Sequence, residues 1–276
     1  MDRCFQLNGQ RYEYVVTAED QSHQQLGKIA VYRETGTQTY LTMPLQELEA
    51  VIKAHQPIDW GQRLVLYKQR FVGRTDIYAE RYWNKKQQRK AYSPAGPWEN
   101  GHKSENQHDP LTDAILMRHF SNTDEYAIGL YPMTSENKTL FLAIDIDGHN
   151  NSQPWQALTT SLHQVCMTYH VPHLVELSQS GRGSHVWIFF DTPIAASIVR
   201  QLGDALLQAT QSIDPRLPFT AFDRMFPAQD QVGGKQFGNL IAAPLEGVAQ
   251  QTGKSVFVDE AYRALPDQWR ALEQVE

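Results

Sequence analysis

The chain has 276 residues, is 41% hydrophobic and carries a formal net charge of −6. This is globular composition, which argues against disorder and allows one large domain or a catalytic domain with a small appendage. Cys4 and Cys166 are far apart and outside any CxxC pair, which argues against a disulfide framework or a cysteine-rich zinc site, and no apolar run approaches the roughly 20 residues of a membrane span.

The N-terminus lacks the apolar core of a signal peptide, so a cytoplasmic protein with no membrane partner is expected. Residues 1–60 read as a small β/α extension. Phe5–Val16, Lys28–Arg33 and Thr39–Thr42 have the texture of strands, and Pro44–His55 places Leu45, Leu48, Val51 and Ile52 at helical spacing. Residues 61–276 form the remaining domain. Its first part, Arg63 to Lys103, holds ten basic and three acidic residues, a local excess of +7 that leaves −13 for the rest. A polyanion responds to that local field rather than to the total. Arg74, Tyr78, Arg81, Trp83, Lys85, Lys86 and Tyr92 interleave charge with rings on which bases can stack, so they are the candidate nucleic-acid contacts; a solvated basic hairpin gives the same pattern. Asp109-Pro110 suits a helix start, with the helix running to about Phe120.

Beyond it, strands are expected over Tyr126–Tyr131, Thr139–Asp145, His173–Leu177, His185–Phe190, Phe237–Ala242 and Ser255–Val258, with helices over Pro154–His170 and Ile194–Ala209. The class is α+β, with functional groups at strand ends of a central sheet. In Leu142-Ala143-Ile144-Asp145-Ile146-Asp147 the period-2 alternation puts both carboxylates on one face. Two such groups at the end of an apolar strand repel, and a divalent cation with hard oxygen ligands resolves this; an Asp-Gly turn accounts for them equally well. Ser178-Gln179-Ser180-Gly181-Arg182-Gly183-Ser184-His185 sits between two strands. Its glycines let backbone approach a phosphate, its amides can form an anion nest, and Ser178, Ser180, Arg182 and His185 add donors; an ordinary glycine-rich hairpin fits too. Asp223 between apolar residues is a candidate third ligand or a turn cap, while Arg224 and Lys235 are candidate phosphate contacts. His163 and His170, on an expected helix, read as structural, and no arrangement resembles a hydrolase triad.

Taken in order, these segments resemble the archaeo-eukaryotic primase, or primase-polymerase, superfamily, in the branch of bacterial conflict systems and CRISPR-associated primase-polymerases. The likeness runs over about residues 63–268. It is carried by Gly73-Arg74, Asp76, Tyr78-Ala79, Arg81, Trp83-Asn84-Lys85-Lys86, Tyr92-Ser93-Pro94, Pro110–Asp113, Gly129–Pro132, Leu142–Asp147, Ser180–Phe190, Asp223–Asp230, Phe237–Ala242 and Ser255–Glu260. The resemblance implies an RRM-like central sheet flanked by helices, with the small N-terminal β-rich extension outside it and a catalytic core over about 125–260. It implies that Asp145, Asp147 and Asp223 are catalytic and hold two divalent cations, Mg2+ or Mn2+. It places Ser178, Ser180, Gly181, Arg182, Gly183, His185, Arg224 and Lys235 on the incoming nucleotide. The activity implied is a template-dependent nucleotidyltransferase, a DNA primase or polymerase of replication type. It would act on NTP or dNTP substrates and a single-stranded or primed template, with a helicase or nuclease partner suggested by the family alone. Two departures stand out. The family's Ser-x-His reads Gly183-Ser184-His185, so the serine's part falls to Ser180 or the backbone, and Ala95-Gly96-Pro97 replaces a cysteine segment, so no zinc is expected. The competing classes are a non-catalytic nucleic-acid-binding relative and a metal-dependent nuclease.

Overall fold

The structure, a computed structural model, describes residues 4–7, 10–19, 28–49, 58–99, 102–104, 107–148, 155–213, 219–233 and 236–275. The chain divides into two units, residues 1–59 and residues 60–276.

In the first unit four antiparallel strands lie in sequence order: β1 (Cys4–Leu7), β2 (Gln10–Glu19), β3 (Lys28–Glu34) and β4 (Tyr40–Pro44). The one strand expected over Phe5–Val16 is therefore two, with Leu7 opposite Gln10. The sequence between them is Asn8-Gly9, a pair with strong turn propensity. Tyr12, Ala30, Tyr32 and Leu48 form the unit's core, and the Tyr12 and Tyr32 rings meet edge-on at 5.5 Å. Residues 45–49 are helical, and the rest of the helix expected over Pro44–His55 lies outside the described residues.

The second unit opens with α1 (Trp60–Phe71), so the basic, aromatic stretch begins as a helix. The hairpin β5 (Ala79–Asn84) and β6 (Arg89–Pro94) follows, then the short β7 (Trp98–Glu99) and β8 (His102–Lys103), α2 (Asp113–Phe120) and β9 (Ile128–Leu130). The core is β10 (Lys138–Asp147), α3 (Trp155–Thr168), β11 (Leu174–Leu177), β12 (Gly183–Ala195), α4 (Ala196–Ile213) and β13 (Phe222–Phe226). The chain ends with β14 (Ile241–Ala242), α5 (Gly247–Gln250), β15 (Val256–Phe257) and α6 (Gln268–Gln274).

The main sheet has the order β13-β10-β12-β11-β15, antiparallel throughout. Its β10-α3-β11-β12-α4-β13 segment is a β-α-β-β-α-β unit with the first and third strands central, which is the expected RRM-like arrangement. A second antiparallel sheet has the order β14-β9-β5-β6.

The alternation along β10 explains how the main sheet is covered. Leu142, Ile144 and Ile146 are buried with Leu158, Leu162 and Val165 of α3 and Val199 and Leu206 of α4. Each such side chain contributes about 1.5–3 kcal/mol on full burial. The other face carries Phe141, then Asp145 and Asp147. There, Phe71 of α1 packs edge-on against Trp187 at 5.0 Å and Phe141 at 6.3 Å. The sheet is thus covered on one face by two helices and on the other by α1 and its rings, with the carboxylates at the strand end beyond them.

Several expected boundaries move, and two of the shifts have a visible cause. The helix expected from Asp109 starts at Asp113, where the Thr112 hydroxyl accepts from the Ile115 amide at 3.4 Å. Upstream, the Asp109 amide donates to Ala95 and the Leu111 amide to Thr75, which ties that segment to the base of the β5–β6 hairpin instead. The strand expected over Phe237–Ala242 shortens to Ile241–Ala242, the two residues that pair with Leu130 and Gly129.

His119 in α2 is fully buried. Its Nε2–H donates to the Pro244 carbonyl at 2.9 Å and its Nδ1 faces the Ile128 amide at 3.4 Å, which selects the neutral ring. Burial holds its pKa down to about 4 from the ordinary 6.5. The unfolded chain therefore takes up a proton that the folded chain refuses between those values. Stability is expected to fall by up to about 1.4 kcal/mol per pH unit as pH drops through this window. Urea unfolding of the wild type and His119→Gln at pH 7 and pH 4.5 checks this: the variant should lose less stability between the two.

Candidate active site

Register builds the site. Asp145 lies opposite His185 on β12, and His185 lies opposite Glu176 on β11. Directly opposed side chains share a face, so the three form one row across three strands. On the other side of β10, Asp145 lies opposite Arg224 on β13. Asp147, two residues along β10, takes the same face opposite Gly183. A Cβ at Gly183 would stand 2.5 Å from the Ile146 carbonyl, so only glycine permits that pairing.

Asp223 reaches this row through an irregularity. The β10–β13 register shifts between Asp145 and Ile146, leaving Asp223 as the extra residue of a β-bulge. The three carboxylates are close enough to be felt at Asp145. Burial raises its pKa above the ordinary value, and the charges of Asp223 and Asp147 add to that, against the pull of His185 and Arg224. Asp223 is engaged by the Arg224 guanidinium, with Nε at 2.8 Å. Among the described residues, no group of three or more His, Cys, Asp or Glu side chains stands ready to hold a metal ion.

His185 is clamped at both nitrogens. Nδ1 is 2.8 Å from Glu176 Oε2, and Nε2 is 3.5 Å from Asp145 Oδ1. Burial alone would lower its pKa, but the charges of Glu176, Asp145 and Asp147, with the hydrogen bond to Glu176, hold it up to about 9. Glu176 is itself 1% exposed and also accepts from Trp187 Nε1 at 2.8 Å. Neither Glu176 nor its role was signalled by the sequence, because a single Glu in the apolar strand Leu174–Leu177 carries no motif.

The glycine loop is a tight hairpin end. The Ser178 amide donates to Gly183, the Gly181 amide donates back to Ser178, and Gly181 has a φ of 71°. The Arg182 amide donates to the Ser180 hydroxyl at 3.1 Å. The amides of Gly181 and Arg182 are thus spent within the loop and are not open to an anion. What the loop offers is hydroxyls, with Ser178 and Ser180 Oγ atoms 3.0 Å apart, and the exposed Arg182 side chain. Ser184 points the other way, 2.6 Å from Thr159 in the helix layer, so it cannot face the carboxylates. Lys235 lies outside the described residues.

Gln179, which the sequence also did not single out, fixes the loop to the second sheet. Its carbonyl oxygen accepts from Arg81 at 3.0 Å and from the Tyr92 hydroxyl at 2.9 Å. This divides the candidate nucleic-acid contacts. Arg81 is also 3.5 Å from Glu246 with its side chain 8% exposed, Tyr78 is 2% exposed, and Arg74 is paired with Asp76 over the Phe237 ring. Tyr78 is therefore corrected to a structural position, while Arg81 and the half-buried Tyr92 give polar groups to Gln179. Trp83, Lys85 and Lys86 are exposed.

A cavity of about 840 Å³ lies away from these groups, with Thr159, His163, Met167, His173 and Tyr262 in its wall. In it His163 Nδ1 is 2.8 Å from His173 Nε2. No described helix is long and apolar enough to cross a membrane.

An RRM-like sheet with acidic residues converging at the end of its central strand, beside a glycine hairpin, defines a primase-polymerase type of core. Residues 62–276 match the archaeo-eukaryotic primase domain of TOTE conflict systems, and the chain belongs to that family, a nucleotidyltransferase-like one. A solved structure, the polymerase domain from Mycobacterium tuberculosis Ligase D in complex with DNA, is similar over 79% of this chain and 83% of that one, at 13% identity and a TM-score of 0.41. No curated protein matches.

Proposed function

We propose that the chain is a template-dependent nucleotidyltransferase, a primase-polymerase that joins nucleoside triphosphates on a single-stranded or primed template. The reading rests on Asp145 and Asp147 sharing one face at the end of β10 beside the Ser178–His185 hairpin, with the charge of Asp223 near enough to act on Asp145. Three carboxylates are a hard-oxygen donor set. Burial, with the charges of Asp223 and Asp147 added, raises Asp145, and a pair of Mg2+ or Mn2+ ions would offset both. Bound by these residues, such ions supply charge stabilisation to phosphoryl transfer.

The other side chains have separate tasks. Glu176 orients His185 so that Nε2–H points into the site, where it donates to the triphosphate. Arg182, Ser178 and Ser180 donate from the hairpin, and Arg224 exchanges Asp223 for a phosphate oxygen. The 3′-hydroxyl oxygen forms a bond to the α-phosphorus as its proton passes to solvent, and the bond from the α-phosphorus to the α–β bridging oxygen breaks with pyrophosphate leaving. Holding these partners in line is the larger part of catalysis in such a transfer.

The purified chain, supplied with a template, Mn2+ and labelled triphosphates, is expected to incorporate nucleotides complementary to the template. Running template alone beside template plus primer separates initiation from extension. Loss of a labelled strand in the absence of triphosphate, with no incorporation under either cation, would overturn the reading in favour of a nuclease.

A further inference from the structure

We infer that the outer half of the β5–β6 hairpin is a shelf for single-stranded nucleic acid, with Trp83 as the stacking surface and Lys85, Lys86 and Lys90 as phosphate contacts. The inference deepens the nucleotidyltransferase reading and rests on it.

Register sets the geometry. Arg81 lies opposite Tyr92, and Trp83 lies opposite Lys90. Side chains alternate along a strand and opposed residues share a face, so both pairs stand on one face of the hairpin. That face is the one whose Arg81 and Tyr92 bond Gln179, the residue between Ser178 and Ser180. Trp83 and Lys90 therefore continue, about 7 Å farther along the strands, a line that begins at the glycine hairpin. Tyr82 faces the opposite side, opposite Ala91.

The inner and outer pairs differ in burial. The Arg81 side chain is 8% exposed, whereas Trp83 is 54% exposed. A tryptophan offers about 150–250 Å² of apolar surface in general, so the half left in water here is surface that a partner would gain by covering. The turn beyond it is held in shape. Asn84 Oδ1 accepts from the amides of Lys86 and Gln87 at 3.0 and 3.1 Å, and the Gln88 side chain donates to the Lys85 carbonyl at 2.7 Å.

Lys85, Lys86, Arg89 and Lys90 are all exposed, and Lys90 lies 3.6 Å from Glu125. The occupant is therefore a polyanion. A flat ring beside the charges favours one with unpaired bases, because stacking on a ring needs a free base face.

Fluorescence anisotropy of a labelled 12-nucleotide strand with the full chain, without triphosphate, tests this. Trp83→Ala is expected to weaken binding about 5- to 150-fold, with Trp83→Phe retaining most of it. The Lys85→Ala, Lys86→Ala double variant should weaken binding and lower the salt slope by about 1.4. Equal affinity of Trp83→Ala and wild type would overturn the shelf. So would an equal loss on a duplex, or equal competition by an acidic peptide, which would mark a protein-docking surface. Incorporation assays separate this from the parent reading. Trp83-dependent strand binding without nucleotide incorporation keeps the shelf and removes the catalytic reading; incorporation with Trp83 indifferent does the reverse.

Discussion

Replacing Asp145 with asparagine is expected to abolish nucleotide incorporation while raising the melting temperature of the protein. Both effects come from one observation. Burial and the neighbouring Asp223 and Asp147 push the Asp145 carboxyl above its ordinary pKa, so its charged form is less favoured in the folded chain than in the unfolded one. At neutral pH the ionised side chain is therefore a net cost to folding despite His185 and Arg224 beside it. Asparagine keeps the shape and removes the charge, which relieves that cost. The same change removes one of three carboxylates from the proposed phosphoryl-transfer site. A loss of about 10³-fold or more in kcat/KM is expected, a magnitude typical of removing one group that stabilises developing charge. Strand affinity, which the proposed hairpin shelf would govern, should stay within about twofold. Primer extension, thermal unfolding and anisotropy on one preparation measure all three. An Asp145→Asn protein that extends primers normally would sink the site assignment.

Glu176→Ala is expected to be the most destabilising single change in the site. Glu176 is buried and answers two donors at 2.8 Å, His185 Nδ1 and Trp187 Nε1. Its removal leaves a buried imidazole and a buried indole N–H without an acceptor and opens a gap between β11 and β12. Breaking a buried charged pair from one side costs about 3–5 kcal/mol, a large share of the roughly 5–15 kcal/mol that holds a domain together. Urea unfolding measures it; a midpoint unchanged from wild type would show that Glu176 is not the anchor of this row. Glu176→Gln, which keeps the volume and one acceptor, should unfold between the two.

Strong periodicity made the core readable. The run from Leu142 to Asp147 and the amphipathic stretches of α3 and α4 appear in the structure within a few residues of where the sequence put them. The facing of Asp145 and Asp147 followed from alternation alone. Other features depend on pairings that no local pattern contains. Arg81 and Gln179 are 98 residues apart, and their hydrogen bond turns a basic aromatic segment into a partly buried brace. Tyr78 carries the same local signal as Trp83, yet one ring is buried and the other exposed, since sequence shows which residues can stack but not which face another sheet covers. Asp223 was readable as a carboxylate among apolar residues, but its place in the row depends on a bulge. The shift between Asp145 and Ile146 is set by how β13 meets β10, and nothing in Phe222–Phe226 announces it. Asn8-Gly9 is the opposite case, a turn-forming pair that can be read in the sequence between β1 and β2.

The order of the main sheet also sets a mechanical asymmetry at its acidic end. β10 is gripped by a neighbour on either side, while β13 lies at the margin with β10 as its neighbour in the sheet. Two carboxylates are thus carried on the best-anchored rail of the molecule and the third on a short outer slat with a kink beside it. In the proposed reaction, the exchange of Asp223 for a phosphate oxygen at Arg224 would therefore fall on this five-residue slat rather than on the rail.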